Sequence, residues 1–222
     1  MNSTLFGFTP ITSISYSNDE IIKNIMTLNG IDFFDLDCTY SKGVFWKNLP
    51  QPKNKTDLLP QVKGVIMADS TKLPFNNESM SSIMFDPPFV IVGNGLTYKD
   101  NKDKNSSIIA KRFEGFSNFE ELKKMYYGTL KEGYRLLKES GIMVFKCQDT
   151  VSGGKNHFTH CLVMQMAINI GFYPKDLFVL MTKNTLSAFN GEKWKTQYHA
   201  RKHHSYFWVF QKVSNKVKYD LI

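Results

Sequence analysis

The chain has 222 residues, 42% hydrophobic and 14% aromatic, which is enough for one well-packed domain and too apolar for intrinsic disorder. Lys and Arg number 28 against 20 Asp and Glu, and the net charge of +8 suits a polyanionic partner such as nucleic acid. No apolar run nears the roughly 18 residues of a membrane helix, no basic-then-apolar leader opens the chain, and three scattered cysteines make no disulfide framework, so no membrane role and a reducing, cytoplasmic compartment are expected.

In chain order, residues 1–17 are polar and mixed and read as an N-terminal arm. Residues 18–28 place Ile21, Ile22, Ile25 and Met26 on one helical face, with Asn18 as the cap and Asn29-Gly30 as the stop. Residues 31–38 read as a short strand ending in acids. Residues 42–49 open a further helix, and 50–56 are a Pro/Lys/Asn loop. Residues 64–68 read as a buried strand, followed by Asp69-Ser70 and a turn. A strand over 80–85 runs straight into Asp86-Pro87-Pro88-Phe89. Residues 90–116 form a long loop carrying Lys99, Lys102, Lys104, Lys111 and Arg112, a length that belongs to lids and binding loops. The clearest helix spans 117–138, with Ser117 and Glu120 as a capping box. A strand over 142–146, a helix over 156–170 with Leu162, Val163, Met166 and Ile170 inward, and strands over 176–181 and 206–210 complete the chain. Strands and helices alternate throughout, which predicts an α/β fold: an open, mostly parallel sheet with helices on both faces and ligands at the carboxyl ends of the strands. Three of those strands end in acids, at Asp37, Asp69 and Asp86.

Asp86-Pro87-Pro88-Phe89 is the most specific signal. An ionised Asp86 only accepts hydrogen bonds. The two prolines fix φ and remove two amide donors, so carbonyls face the site. Phe89 adds an apolar plate. Such a rigid acceptor pocket fits a planar group with an exocyclic NH2, as on a nucleobase; the same four residues also make a plain strand-ending turn.

In its wider context the chain resembles the S-adenosylmethionine-dependent amino-methyltransferases of nucleic acids, the adenine-N6 and cytosine-N4 class. That family ends one strand in an acid followed by a Gly-x-Gly loop, and a later strand in D/N/S-P-P-Y/F/W. Here the first loop reads Asp37-Cys38-Thr39-Tyr40-Ser41-Lys42-Gly43-Val44-Phe45-Trp46, with Ser41 where the first glycine is usual. It is most similar to the loop of small, phage-type, stand-alone DNA methylases. The resemblance spans about residues 31–212 and implies a single Rossmann-like methyltransferase domain over 1–222, closed by an antiparallel strand at 205–212. It implies S-adenosyl-L-methionine as cofactor, held by Asp37, Thr39, Tyr40, Gly43, Asp57, Asp69, Ser70 and Asp86. Asp57 follows Asp37 at about the 20-residue interval of a ribose-binding acid. It implies a catalytic loop of Asp86, Pro87, Pro88 and Phe89, with adenine N6 of DNA favoured by the aspartate.

Two loops would carry the nucleic acid, 90–116 through Lys99, Lys111 and Arg112, and 184–204 through Lys193, Lys195, Arg201 and Lys202, where aromatics interleave the basic residues. At 222 residues no large recognition domain is expected, so specificity should come from these loops or from a partner (a second copy or a specificity subunit), or be low. His157, His160 and Cys161 lack the spacing of a zinc site, and no metal is expected. Two other readings stay open. One is an RNA base methyltransferase (guanine N2 or adenine N6), which usually appends an RNA-binding domain. The other is a non-catalytic nucleic-acid-binding subunit, favoured by Ser41 and opposed by the intact Asp86 loop.

Overall fold

The computed structural model describes residues 10–89, 116, 118–152, 154–182 and 198–214. Its first half comprises β1 (Ile14–Ser15), α1 (Asn18–Asn29), β2 (Leu36–Asp37), a 3-10 turn (Val44–Trp46), β3 (Asn54–Asp57), β4 (Ile66–Met67) and β5 (Met80–Phe85). α2 (Phe119–Leu136), β6 (Leu137–Cys147), β7 (Thr150–Ser152), β8 (Lys155–His157), α3 (Thr159–Ile170), β9 (Phe172–Met181) and β10 (His204–Lys212) follow. Eight strands form one sheet in the order β1-β9-β10-β6-β5-β2-β3-β4, while β7 and β8 pair as a separate antiparallel hairpin. β10 runs antiparallel to both its neighbours, β6 and β9, and the other pairs of the sheet are parallel. The sheet is therefore mostly parallel with one inserted antiparallel strand, as expected.

Strand alternation divides the core into two layers. Met84 of β5, Ile142 and Val144 of β6, and Phe207 and Val209 of β10 face the α1 side, where Ile21, Ile22, Ile25 and Met26 cover them. Ile83, Phe85, Met143, Phe145 and Phe210 face the other side, against Leu122, Tyr126 and Leu130 of α2 and Val163 and Ala167 of α3. Each large apolar side chain fully buried here stabilises the fold by roughly 1.5–3 kcal/mol.

Several boundaries differ from the sequence-based expectation. Ser17, not Asn18, caps α1: its Oγ accepts the Glu20 amide, and Asn18 is already helical. Ile14 and Ser15 pair with Val179 and Leu180, so that part of residues 1–17 belongs to the sheet and is no arm. β2 keeps only two residues of 31–38. Within residues 42–49 only Val44–Trp46 form a 3-10 turn, after left-handed Gly43, and no α-helix follows before Pro50. The polar 54–57 segment becomes β3, because pairing with β2 overrides its composition. β4 is an exposed edge, with Ile66 45% and Met67 74% accessible, and not the buried strand its apolar run predicts. Asn118 caps α2 by accepting the Glu121 amide; Ser117 lies outside the described residues. Residues 155–157 form β8, so α3 starts only at Thr159. α3 turns Thr159, Val163 and Ala167 inward, while Leu162 is half-buried.

Candidate active site

Chain order reverses between adjacent β2 and β5: from β2 it runs outward to β3 and β4, and from β5 to β6 on the other side. Open parallel sheets form their ligand crevice at the carboxyl ends flanking such a point. A cleft of about 340 Å³ lies there, within the roughly 300–1,000 Å³ of ligand sites. Its polar wall includes Thr39, Ser41, Asp57, Asp69, Ser70 and Asp86, and its apolar wall Leu58, Leu59, Phe116 and Met125.

The loop after β2 is built around Asp37. This carboxylate is buried and accepts three donors: Trp46 Nε1–H at 2.6 Å, the Thr39 amide at 2.7 Å and the Thr39 hydroxyl at 3.2 Å. Burial pushes the Asp37 carboxyl up to about 7; the hydrogen bonds pull it down, and the Asp86 charge adds to the rise. Thr39 Oγ1 also accepts the Asp86 amide at 2.8 Å, tying the ends of β2 and β5 together. Ser41 has φ 51 and Gly43 φ 70. Both are left-handed, so Ser41 takes the conformation that glycine adopts most readily. A Cβ on Gly43 would collide with the Tyr40 ring. The Ser41 amide donates to Asp57 Oδ2 at 2.8 Å, and the Leu59 amide to Asp57 Oδ1 at 2.8 Å.

The loop after β4 is clamped by α2. Asp69 Oδ1 accepts the Thr71 amide and hydroxyl, both at 2.8 Å, and Ser70 Oγ meets Thr129 Oγ1 at 2.8 Å. Arg135 reaches the carbonyls of Leu73 and Phe75 and both Glu132 oxygens, while Glu132 accepts the Leu73 amide at 2.7 Å. Desolvation would raise the Glu132 carboxyl, but the Arg135 hydrogen bonds, the Leu73 amide and the Arg135 charge hold it below its ordinary range.

Residues 80–222, more than half of the chain, match the model of the N6/N4 DNA methylase family. The chain belongs to the DNA methylase family. The match begins at the first residue of β5, so Asp86-Pro87-Pro88-Phe89 lies inside it and the loop after β2 outside. No curated protein matches the chain. Among solved structures, TrmN from Thermus thermophilus is similar at 13% identity, over 88% of this chain and 49% of that one, with a TM-score of 0.50. A protein described as a DNA modification methylase from the same organism, complexed with S-adenosyl-L-methionine, has 15% identity over 69% of this chain and 57% of that one, TM-score 0.44. The PvuII cytosine-N4-specific DNA methyltransferase has 18% identity over 67% and 48%, TM-score 0.46. The chain spans 54% to 57% of the length of the Thermus modification methylase structures. At 13% identity the TrmN likeness carries the fold alone.

In this methylase-family chain the cleft brings together Thr39, Asp57, Asp69, Ser70, Asp86, Pro87 and Pro88. Asp37, Tyr40 and Gly43 do not line it. They shape the loop from behind, Asp37 through Trp46 and Tyr40 through a 2.6 Å bond to Gln51. Phe89 is half-buried and lies beside Lys146, whose Nζ is 6.0 Å from its ring centroid, and is not in the cleft lining. Of the basic residues, Lys99, Lys111, Arg112, Lys193 and Lys195 lie outside the described residues. Arg201 is exposed, and Lys202 stands 5.9 Å over the Phe158 ring. Residue 204 belongs to β10 and not to the preceding loop.

Two features escape sequence reasoning. One is Lys146, buried on β6 and ion-paired with Asp86 at 3.2 Å. The other is the β7–β8 hairpin: His199 meets the Gly154 carbonyl, and His157 stacks on Phe119 at 3.9 Å, next to the cleft-lining end of α2. His160 pairs with buried Asp149 at 2.7 Å and stacks on Tyr206. Among the described residues no group of three or more His, Cys, Asp or Glu could hold a metal ion, and no helix is long and apolar enough to cross a membrane.

Proposed function

We propose that this chain transfers a methyl group from S-adenosyl-L-methionine to the exocyclic amine of a nucleobase, adenine N6 of DNA in the favoured reading. The observation that carries the proposal is the placement of Asp86-Pro87-Pro88 on the wall of one cleft with Asp57 and Asp69. The donor set fits the cofactor. Asp57, Asp69 and Ser70 offer acceptors for ribose hydroxyls and an adenine amine, and the apolar residues of the same cleft suit an adenine ring. Asp57 would hold the ribose hydroxyls on acceptor positions left beside its two amide bonds, and Asp69 with Ser70 would meet the adenine edge. When bound, the cofactor supplies an activated methyl group.

Asp86 and the Pro87 carbonyl would accept the two hydrogens of the substrate amine and aim its lone pair. They would also stabilise the positive charge that develops on nitrogen. Asp86 need not be a strong base, because the proton can leave after transfer. Phe89 would supply an apolar face for the base, which must leave the duplex to reach the loop. Arg201 and Lys202, with exposed Phe158 under Lys202 and exposed Tyr198 close in the chain, would contact the backbone. The aspartate of the loop, by family resemblance, supports adenine over cytosine.

The test is nucleoside analysis after incubation with labelled S-adenosylmethionine and duplex DNA, single-stranded DNA or RNA. N6-methyladenosine as the deoxynucleoside is the expected product. N4-methylcytosine would overturn the choice of base, a methylated ribonucleoside the choice of polymer, and label in none of them the enzyme reading.

A further inference from the structure

Lys146 has a position that the methyl-transfer reading leaves unused. On β6, Ile142 and Val144 point to the α1 side, and alternation puts Lys146 in the same row, past the apolar core and at the carboxyl edge. Phe85 of β5 is in register with Phe145 of β6, so Asp86 and Lys146 follow as neighbours one step beyond. Lys146 Nζ lies 3.2 Å from Asp86 Oδ1 and 3.3 Å from Oδ2. Three rings surround the ammonium, with centroids at 5.1 Å (Phe207), 5.4 Å (Phe45) and 6.0 Å (Phe89). The residue is 9% exposed. A lysine so enclosed needs an anion and gains further from aromatic faces, which suit its compact charge.

The two partners are not equivalent. The Lys146 side chain is 11% accessible and the Asp86 side chain 27%, and Asp86 lines the cleft while Lys146 does not. One side of the carboxylate is thus fixed and another is open. A carboxylate has about four acceptor positions, so a donor near both oxygens leaves others vacant. Its rotation about the Cβ–Cγ bond is otherwise broad. We infer that Lys146 is a positioning residue for methyl transfer: it sets the rotation of the Asp86 carboxylate, so that an unoccupied acceptor position faces the incoming amine. This rests on the reading of Asp86 as the amine acceptor. Lys146 itself touches neither cofactor nor base in this scheme and acts through Asp86.

The test is a double-mutant cycle on DNA methylation. Lys146→Met keeps the length and removes the charge. It is expected to lower kcat by roughly 10- to 100-fold, the scale of a misplaced catalytic group, while the KM for S-adenosylmethionine moves less than about threefold. In an Asp86→Asn background the same change should cost under about threefold, because the coupling runs through the carboxylate. Lys146→Arg should restore part of kcat; it also serves if the methionine variant does not fold. An active wild type with Lys146→Met within threefold of it, or with the same loss in both backgrounds, overturns the positioning role and leaves the methyltransferase reading standing. A wild type that binds the cofactor but methylates no nucleic acid overturns that reading and the role of Lys146 with it.

Discussion

At the scale of single residues, Asp37 and Ser41 show how the loop after β2 is held. The Asp37 carboxyl rises from 3.8 to about 7 on folding, chiefly by burial. The folded chain therefore binds the extra proton between about pH 4 and 7, and this group's stabilising contribution, full below pH 4, is lost as pH rises through 7. Urea unfolding at pH 5 and pH 8 should show a decline that is flatter in Asp37→Asn; parallel profiles would contradict the assignment. Trp46→Phe removes the donor to Asp37 Oδ2 and should cost about 1–3 kcal/mol, read by the same unfolding. Ser41→Gly removes a Cβ from a left-handed position and should stabilise by about 1 kcal/mol, with cofactor affinity equal or tighter. A loss of stability would mean that the loop is strained for another reason. Asp86 and Asp69, which line the cleft, were legible in the sequence as acids at strand ends, and Asp57 only through the family resemblance and its spacing from Asp37. Lys146 was not, because it reads as the polar end of a strand, and its partner is 60 residues away. The inner role of Asp37 was hidden for a related reason: only the fold shows that Trp46 turns back onto it.

At the scale of elements, α2 serves as the brace for the Asp69 loop. Arg135 binds two loop carbonyls and Glu132, and Thr129 meets Ser70. Neither Arg135 nor Glu132 lines the cleft. Arg135→Ala should therefore raise the Kd for S-adenosylhomocysteine severalfold while kcat at saturating cofactor stays within about threefold. Unchanged binding would show that the loop holds itself. Helices α1 and α2 were readable from the 3–4 spacing of their apolar residues, and β5 from the apolar stretch Ile83-Met84-Phe85 that runs into Asp86. β3 and the β7–β8 hairpin were not, since their residues are polar and their pairing comes from neighbours distant or turned back in the chain. β4 was misjudged as buried, because an apolar run cannot distinguish a central strand from an exposed edge.

At the scale of the whole molecule, the sheet places the proposed chemistry at one edge. Asp57 and Asp69 follow strands on the β2 side of the reversal, and Asp86, backed by Lys146 outside the cleft, follows β5 on the other side. The alternation of strands and helices announced this α/β sheet, whereas strand order needed the structure. With a net charge of +8, binding to DNA should weaken steeply with salt, each phosphate contact adding about 0.9 to the slope of log affinity against log salt. Fluorescence anisotropy on a duplex oligonucleotide should show that slope reduced by about 1 in Lys202→Ala; an unchanged slope would move the interface elsewhere. The most direct measurement is the titration of S-adenosylhomocysteine into wild type, Asp69→Ala and Asp86→Ala. A cleft divided between cofactor and amine should lose at least about tenfold in affinity with Asp69→Ala and less than about threefold with Asp86→Ala. Equal affinity in all three proteins would contradict a cofactor site in this cleft.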